Sequence, residues 1–286
     1  MGGPTGTEPM TTSDWGDWLP RAIEAADPDG VAVWYLGCNG FVLKGSEGTT
    51  LFVDPYLGTG DPPRTVRMIP VPFDPTDVGD ADAVFATHEH SDHVHGESQA
   101  PILERTGAPF VAPDASMAAA REDQSWEDRW DLTDDQFQEV VEGDVVEVGE
   151  FTVHVVEVND PDAEHPVGYV FEHDAGTVFH PGDSRPAEWF VALGEEFDID
   201  LGIVAFGTAG MIPDKQTREP TYTKWYNDEG EAVEAASALQ ADRLLPSHWD
   251  MWKGLTADPT ALQDHVDSFE HPRRLELVEI GDRVDL

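Results

Sequence analysis

The segment Thr87-His88-Glu89-His90-Ser91-Asp92-His93 gathers three imidazoles and Asp92 within six residues, directly after the apolar run Ala83-Val84-Phe85-Ala86. His88 and His90 stand two apart, so in an extended segment both project from the same face. Asp92 and His93 follow where the chain has to turn, and they can face a second, nearby point. Neutral imidazole nitrogens and a carboxylate suit divalent transition ions, and two adjacent ion positions suit hydrolysis. A solvated histidine-rich loop is the competing reading. The His-x-His-x-Asp-His spacing behind a buried strand argues against it.

Other landmarks stand in a consistent order around that segment. Thr50-Leu-Phe-Val-Asp54-Pro55 ends an early strand in an Asp-Pro pair. Gly176-Thr-Val-Phe-His-Pro-Gly-Asp183 ends a later one in Gly-Asp, and Arg243-Leu-Leu-Pro-Ser-His248 ends another in a histidine. Together these resemble the signature of the metallo-β-lactamase superfamily over residues 31 to 286. The resemblance implies an α/β fold, a four-layer αββα sandwich. It also implies two divalent metal ions, Mn²⁺ or Zn²⁺. His88, His90 and Asp160 would hold the first, and Asp92, His93 and His248 the second, with Asp183 bridging both. Water activated between the ions would attack the substrate, with Asp92 and Asp183 as the catalytic carboxylates. Asp54 would accept hydrogen bonds that keep the ligand loop oriented.

The chain departs from the usual pattern at one ligand. Where most of the superfamily places a histidine after the strand read here as Phe151 to Val158, the sequence has Val158-Asn159-Asp160-Pro161. His165, five residues on, is a rival to Asp160 for that role. An Asp at this point resembles the L-ascorbate-6-phosphate lactonase branch. So do Tyr169-Val-Phe-Glu172, Asp214-Lys215 and Ser247-His248-Trp-Asp250-Met-Trp252 with Ala257-Asp258-Pro259. This resemblance implies opening of a small sugar-acid lactone or ester, with Lys215 as a substrate contact. The alternative is a phosphodiesterase or RNA-processing nuclease with the same dinuclear centre. Of the remaining candidates, Cys38 is read as a buried inert thiol, Trp249 and Trp252 as packing, His95 as a structural loop residue, and His180 as a buttress of the Gly-Asp turn.

Composition sets the surroundings of this chemistry. The chain has 286 residues, 58 acids against 16 bases and a formal charge of −42. The acids are scattered rather than gathered in a tail, while 40% hydrophobic residues and nine tryptophans argue for a packed core. Such a surface repels itself in dilute buffer and is tolerated where salt shortens the Debye length to about 3 Å. We read it as a cytoplasmic protein of a salt-accumulating halophile. Nucleic acid is not an expected partner, because no basic patch is present. A small-molecule substrate is expected, and a homo-oligomer stays open. The lone Cys38 excludes an internal disulfide, and no stretch is long and apolar enough for a membrane span.

The elements needed to position the site can be read off in order. Residues 1–27 are expected to be a mobile N-terminal segment with a short helix over Asp14 to Ala26, and residues 28–286 the hydrolase domain. Strands are expected at Val31–Leu36, Phe41–Lys44, Thr50–Val53 and Ala83–Ala86, with a proline- and glycine-rich loop over 55–80 on the site's rim. Helices over Ser98–Arg105 and Asp114–Glu122 flank a strand at Pro109–Ala112. Residues 123–139 receive no assignment. Val145–Val148 and Phe151–Val158 alternate as half-buried strands, and Gly168–Glu172 and Thr177–His180 complete that second sheet. Two β-α units follow, Leu201–Phe206 with Glu229–Leu239, and Arg243–Leu245 with Pro259–Phe269.

Overall fold

Strand β1 (Ala32–Gly37) sends Val33 and Tyr35 to one face and Ala32, Trp34 and Leu36 to the other, and every position is buried. A strand apolar on both faces needs cover on both faces, which a layered arrangement supplies. The computed structural model describes residues 13–123, 126, 130–207, 209–214 and 216–286. In it β1 lies within a seven-stranded sheet with β2 (Gly40–Lys44), β3 (Thr50–Val53), β4 (Ala83–Phe85), β5 (Phe110–Ala112), β6 (Phe137–Glu139) and β16 (Arg283–Asp285). The order is β16-β1-β2-β3-β4-β5-β6. A second seven-stranded sheet contains β7 (Val145–Val148), β8 (Phe151–Glu157), β9 (Val167–His173), β10 (Gly176–His180), β11 (Leu201–Ala205), β14 (Arg243–Ser247) and β15 (Arg274–Leu275). Its order is β15-β14-β11-β10-β9-β8-β7. A separate hairpin pairs β12 (Gly210–Pro213) with β13 (Pro220–Thr223).

Three apolar layers hold the sheets and helices together. Between the sheets, Tyr35, Phe41, Leu43 and Phe85 meet Val153, Tyr169, Phe171 and Ile203. On the outer face of the first sheet, Trp34, Phe52 and Val84 pack with α1 (Trp18–Glu24), α2 (Gly96–Thr106) and α3 (Asp114–Glu122) through Leu19, Leu103 and Met117. On the outer face of the second, Val170, Phe179 and Leu244 pack with α4 (Phe190–Glu196), α5 (Glu229–Ala238) and α6 (Gln263–Val266) through Phe190, Val233 and Val266. The result is the expected αββα sandwich. Among the described residues, no helix is long and apolar enough to cross a membrane.

Several elements differ from expectation for visible reasons. The first helix begins at Trp18 rather than Asp14, because Gly16 (φ +67°) breaks the backbone path and Ser13 Oγ instead accepts from Trp15 N at 3.0 Å in a turn. Pro259–Phe269 is a 3₁₀ turn over Pro259–Leu262 followed by the single-turn α6. The unassigned stretch contributes β6 and the fully buried Trp126, which packs on Phe110 and Phe137. The expected mobile stretch falls on residues 1–12, which lie outside the described residues.

Candidate metal centre

Parallel pairing of β3 with β4, and of β10 with β11 and β14, puts the C-terminal ends of these strands on one edge of the sandwich. The segments leaving those ends carry Asp54, the 88–93 loop, Asp183 and His248, while β8 runs the same way and leads to Asp160. The two-residue turn Cys38-Asn39 between β1 and β2 reaches the same edge. Gly182 lets Asp183 come in. It sits at φ +62°, and a Cβ there would meet Thr87 Oγ1 at 2.6 Å.

Asp54 organises the ligand loop from beneath. Its Oδ1 accepts from Thr87 N at 2.9 Å, and its Oδ2 accepts from Thr87 Oγ1 and from His93 Nδ1, both at 2.8 Å. With its proton given to Asp54, Thr87 Oγ1 accepts from His88 Nδ1 at 3.0 Å. This pattern places the protons of both rings on Nδ1 and leaves each Nε2 facing the site. His90 offers the other nitrogen. Its Nδ1 lies 2.9 Å from His88 Nε2, while its Nε2 donates to the Asp162 carbonyl at 3.2 Å.

Two groups of donors result, with Asp183 common to both. His88, His90 and Asp183 present one atom each within 4.8 Å of one another, and so do His93, Asp183 and His248. Asp160 Oδ2 lies 3.6 Å from His88 Nε2, so Asp160 joins the first group. His165 does not: it is exposed, and its Nδ1 pairs with Asp114 at 2.9 Å. Asp92 Oδ2 lies 3.6 Å from His248 Nε2, and Asp183 Oδ1 lies 3.5 Å from His93 Nε2 and 3.4 Å from His248 Nε2.

The buried groups shift one another's ionisation. Burial disfavours a charge on Asp183, yet His248 and His93 hold its carboxyl well below the usual carboxylate range. Burial likewise disfavours an imidazolium at His93, but Asp54 and Asp183 push its pKa well above the ordinary value. His88 goes the other way: burial and the neighbouring His93 hold it well below the imidazole range. Burial, then Asp183, push Asp160 up to about 6. Two buried atoms, His93 Nε2 and Asp160 Oδ2, have no hydrogen-bond partner. A buried polar atom without a partner costs stability unless something else satisfies it. Divalent ions fit both orphans and the imidazole-carboxylate donor set.

Residues that the sequence reading passed over complete the surroundings. Asn39 Nδ2 donates to Asp183 Oδ1 at 3.1 Å, while Asn39 Oδ1 accepts from Ser247 Oγ at 2.7 Å. Trp252, read as packing, also donates its indole N–H to Asp92 Oδ2 at 3.1 Å. Tyr226 stacks on His248 with ring centroids 4.1 Å apart. Cys38 is buried, as expected of an inert thiol, but its Sγ lies 3.6 Å from Asp92 Oδ2 and 3.4 Å from His248 Nε2. Burial, then Asp92 and Asp183, push that thiol well above its ordinary pKa. The run of two polar residues between glycines, Gly37-Cys-Asn-Gly40, was the available signal. His95 bonds Ser98 Oγ at 2.7 Å at the start of α2, and His180 spans the Asn39 carbonyl and Gly182 N.

Above the donors opens a cleft of about 860 Å³, floored by His90, Asp92, Asp160 and Asp183. Arg64 and Lys224 also line it. Lys224 is committed to Asp228 and Glu231, each at 2.7 Å. Arg64 lies over the Trp225 ring at 5.6 Å and forms no ion pair with any other described residue. The rim loop is held by Arg67, whose guanidinium donates to the carbonyls of Tyr56, Gly58, Ile69 and Pro70. Lys215, the expected substrate contact, lies outside the described residues.

Comparison with known proteins agrees with this fold. The family model described as the beta-lactamase superfamily domain matches residues 49–249. A probable L-ascorbate-6-phosphate lactonase of Escherichia fergusonii is 28% identical over 299 residues, covering 88% of this chain and 79% of the relative. Its counterpart in Escherichia coli strain SMS-3-5 is 28% identical with the same coverage. Among solved structures, a metallo hydrolase of the hyperthermophilic archaeon Ignicoccus hospitalis superposes with a TM-score of 0.66 at 18% identity, covering 90% of this chain and 98% of that one. The diiron beta-hydroxylase CmlA of Streptomyces venezuelae superposes with a TM-score of 0.64 at 18% identity, covering 91% of this chain and 55% of that one.

Proposed function

Since this chain belongs to the metallo-β-lactamase superfamily and is a hydrolase of that fold, we propose that it opens a small, anionic sugar-acid lactone or ester. The observation that carries the reading is the convergence of seven nitrogen and carboxylate donor residues at a cleft also lined by Arg64, which forms no ion pair with another described residue. The similarity to probable L-ascorbate-6-phosphate lactonases supports the substrate class.

In this reading His88, His90 and Asp160 would hold one divalent ion and Asp92, His93 and His248 another, and Asp183 would be shared by the two positions. Mn²⁺ and Zn²⁺ are the ions that suit these donors. Bound there, such ions supply a water acidified toward neutral pH and a counter-charge for the oxyanion of the attacked carbonyl. The chain's own residues prepare the site for this. Asp54 and Thr87 fix the tautomers of His93 and His88, so that both present Nε2. Asn39 and Trp252 each satisfy one carboxylate oxygen, on Asp183 and Asp92, and so restrain how those groups turn. Arg64 pairs with the substrate's remote anionic group. The Trp225 ring lies 5.6 Å from its guanidinium carbon, a cation–π contact that helps to place it. Without such a cation, a surface of formal charge −42 would repel that ligand.

The experiment is a substrate panel in molar KCl with Mn²⁺ or Zn²⁺: sugar-acid lactones with and without phosphate, bis-p-nitrophenyl phosphate and short RNA. Lactones should be opened fastest, and Arg64→Ala should raise KM for the anionic members while leaving neutral ones near their original values. Rapid phosphodiester cleavage with inert lactones would overturn the reading.

A further inference from the structure

We propose that Arg67 is a positioning residue for the substrate's anionic group: it sets where Arg64 stands at the cleft, and with it the preference for charged over neutral lactones. The proposal rests on the reading of Arg64 as the contact for that group.

The rim loop needs a support that its own main chain supplies poorly. Pro55, Pro62, Pro63 and Pro70 carry no N–H, so few main-chain hydrogen bonds can cross between the outgoing arm (residues 55–60) and the returning arm (65–70). Arg67 N gives one, to the Thr59 carbonyl at 3.1 Å. The Arg67 side chain then holds both arms. On the outgoing arm, its Nη1 donates to the carbonyls of Tyr56 and Gly58 at 3.1 and 3.2 Å. On the returning arm, its Nε donates to the Ile69 carbonyl at 3.0 Å and its Nη2 to that of Pro70 at 2.7 Å. A planar fork of N–H donors can serve acceptors on both sides at once, which a compact ammonium cannot. Among the described residues Arg67 forms no ion pair, in a chain with 58 acids against 16 bases. Its guanidinium is given over to the shape of this loop.

The base of the loop is bound beside the candidate metal centre. Met68 N donates to Met251 O at 2.8 Å and Lys253 N to Val66 O at 3.0 Å, on either side of a bridge between Arg67 and Trp252. Trp252 in turn donates to Asp92 Oδ2. The tip, where Arg64 N and Thr65 N both donate to Asp61 O, is carried from this base by the two arms. Whatever fixes the arms therefore fixes Arg64 relative to Asp92. With the arms released, Arg64 would have to be ordered at each binding event, which weakens its contact without removing it.

The test compares Arg64→Ala, Arg67→Met, Arg67→Lys and the Arg64→Ala/Arg67→Met double variant, loaded with Zn²⁺ in molar KCl, on gluconolactone with and without a terminal phosphate. The readout is the ratio of kcat/KM for the charged substrate to that for the neutral one. A guanidinium–phosphate contact of about 2.7–2.9 Å is shorter than the Debye length of about 3 Å and survives such salt. Its loss in Arg64→Ala should lower the ratio about tenfold. Arg67→Met should lower it several-fold, through KM for the charged substrate more than through kcat, and the double variant should fall no further than Arg64→Ala, because Arg67 acts through Arg64. Arg67→Lys keeps the charge without the fork and should behave as Arg67→Met does; it decides the matter if Arg67→Met does not fold. Amide exchange at Gly60 and Thr65 should quicken in both. A wild-type ratio in the Arg67 variants, or a double variant showing the product of the two single losses, would overturn the inference and leave the Arg64 contact standing. A ratio untouched by Arg64→Ala would remove that contact and the inference with it, and failure to open either lactone would sink the proposed function as well.

Discussion

Asp160 should cost the metal-free protein stability in a way that pH exposes. Its Oδ2 is buried without a hydrogen-bond partner, and burial, then Asp183, raise its pKa from the ordinary 3.8 to about 6. A carboxyl with a raised folded-state pKa binds its proton more tightly folded than unfolded. The folded state therefore loses relative stability as pH climbs from about 4 through about 6, and the loss is complete above that. A gap of about 2 units at 1.36 kcal/mol each gives an upper bound near 3 kcal/mol, and partial solvent screening brings it to roughly 1–2 kcal/mol. Asp160→Asn keeps the shape and removes the charge. For a chain of this size the unfolding entropy is about 0.6 kcal/mol per kelvin, so the metal-free variant should melt roughly 2–3 °C above wild type at pH 8. At pH 4 the two should coincide. Saturating Zn²⁺ or Mn²⁺ should reverse the order, because only the wild type offers an anionic donor to the ion. Calorimetric melts of chelator-treated protein in molar KCl read all three comparisons. A variant less stable than wild type at pH 8 without metal, or a gain that ignores pH, would refute the reasoning.

Salt should act on the whole surface. With 58 acids against 16 bases, the melting midpoint should rise from about 0.1 M to about 3 M KCl as screening relieves self-repulsion; a flat series would remove the halophile reading. Asp54→Ala should weaken metal binding by about 10–100-fold in chelator competition, because His93 and Thr87 lose the acceptor that orients them; unchanged affinity would show that the loop holds itself.

What could be read in the sequence was whatever one strand and its following turn place together. His88, His90, Asp92 and His93 share one loop behind β4, where spacing alone marks them, whereas Asp183, His248 and Asp160 were reached through the resemblance to the metallo-β-lactamase superfamily. The rival His165 fell away once the structure showed it exposed on Asp114. The residues that escaped act across large sequence separations. Asn39 reaches both Asp183 and Ser247, Trp252 reaches back to Asp92, and Cys38 meets His248 210 positions away. No local pattern encodes such contacts, because they exist only once the two sheets stack and bring the β1–β2 turn beside the end of β14. The edge elements were obscure for a different reason. β16 buries only Val284, β15 has two residues, and the β12–β13 hairpin exposes Met211 and Tyr222, so none carries enough apolar periodicity to stand out. The four candidate ligands of the 88–93 loop thus sit where local sequence speaks most plainly, and the groups that orient the site's carboxylates sit where only the packed fold does. Substitutions that adjust how Asp183 and Asp92 are held should accordingly be sought at Asn39 and Trp252 rather than within the histidine motif itself.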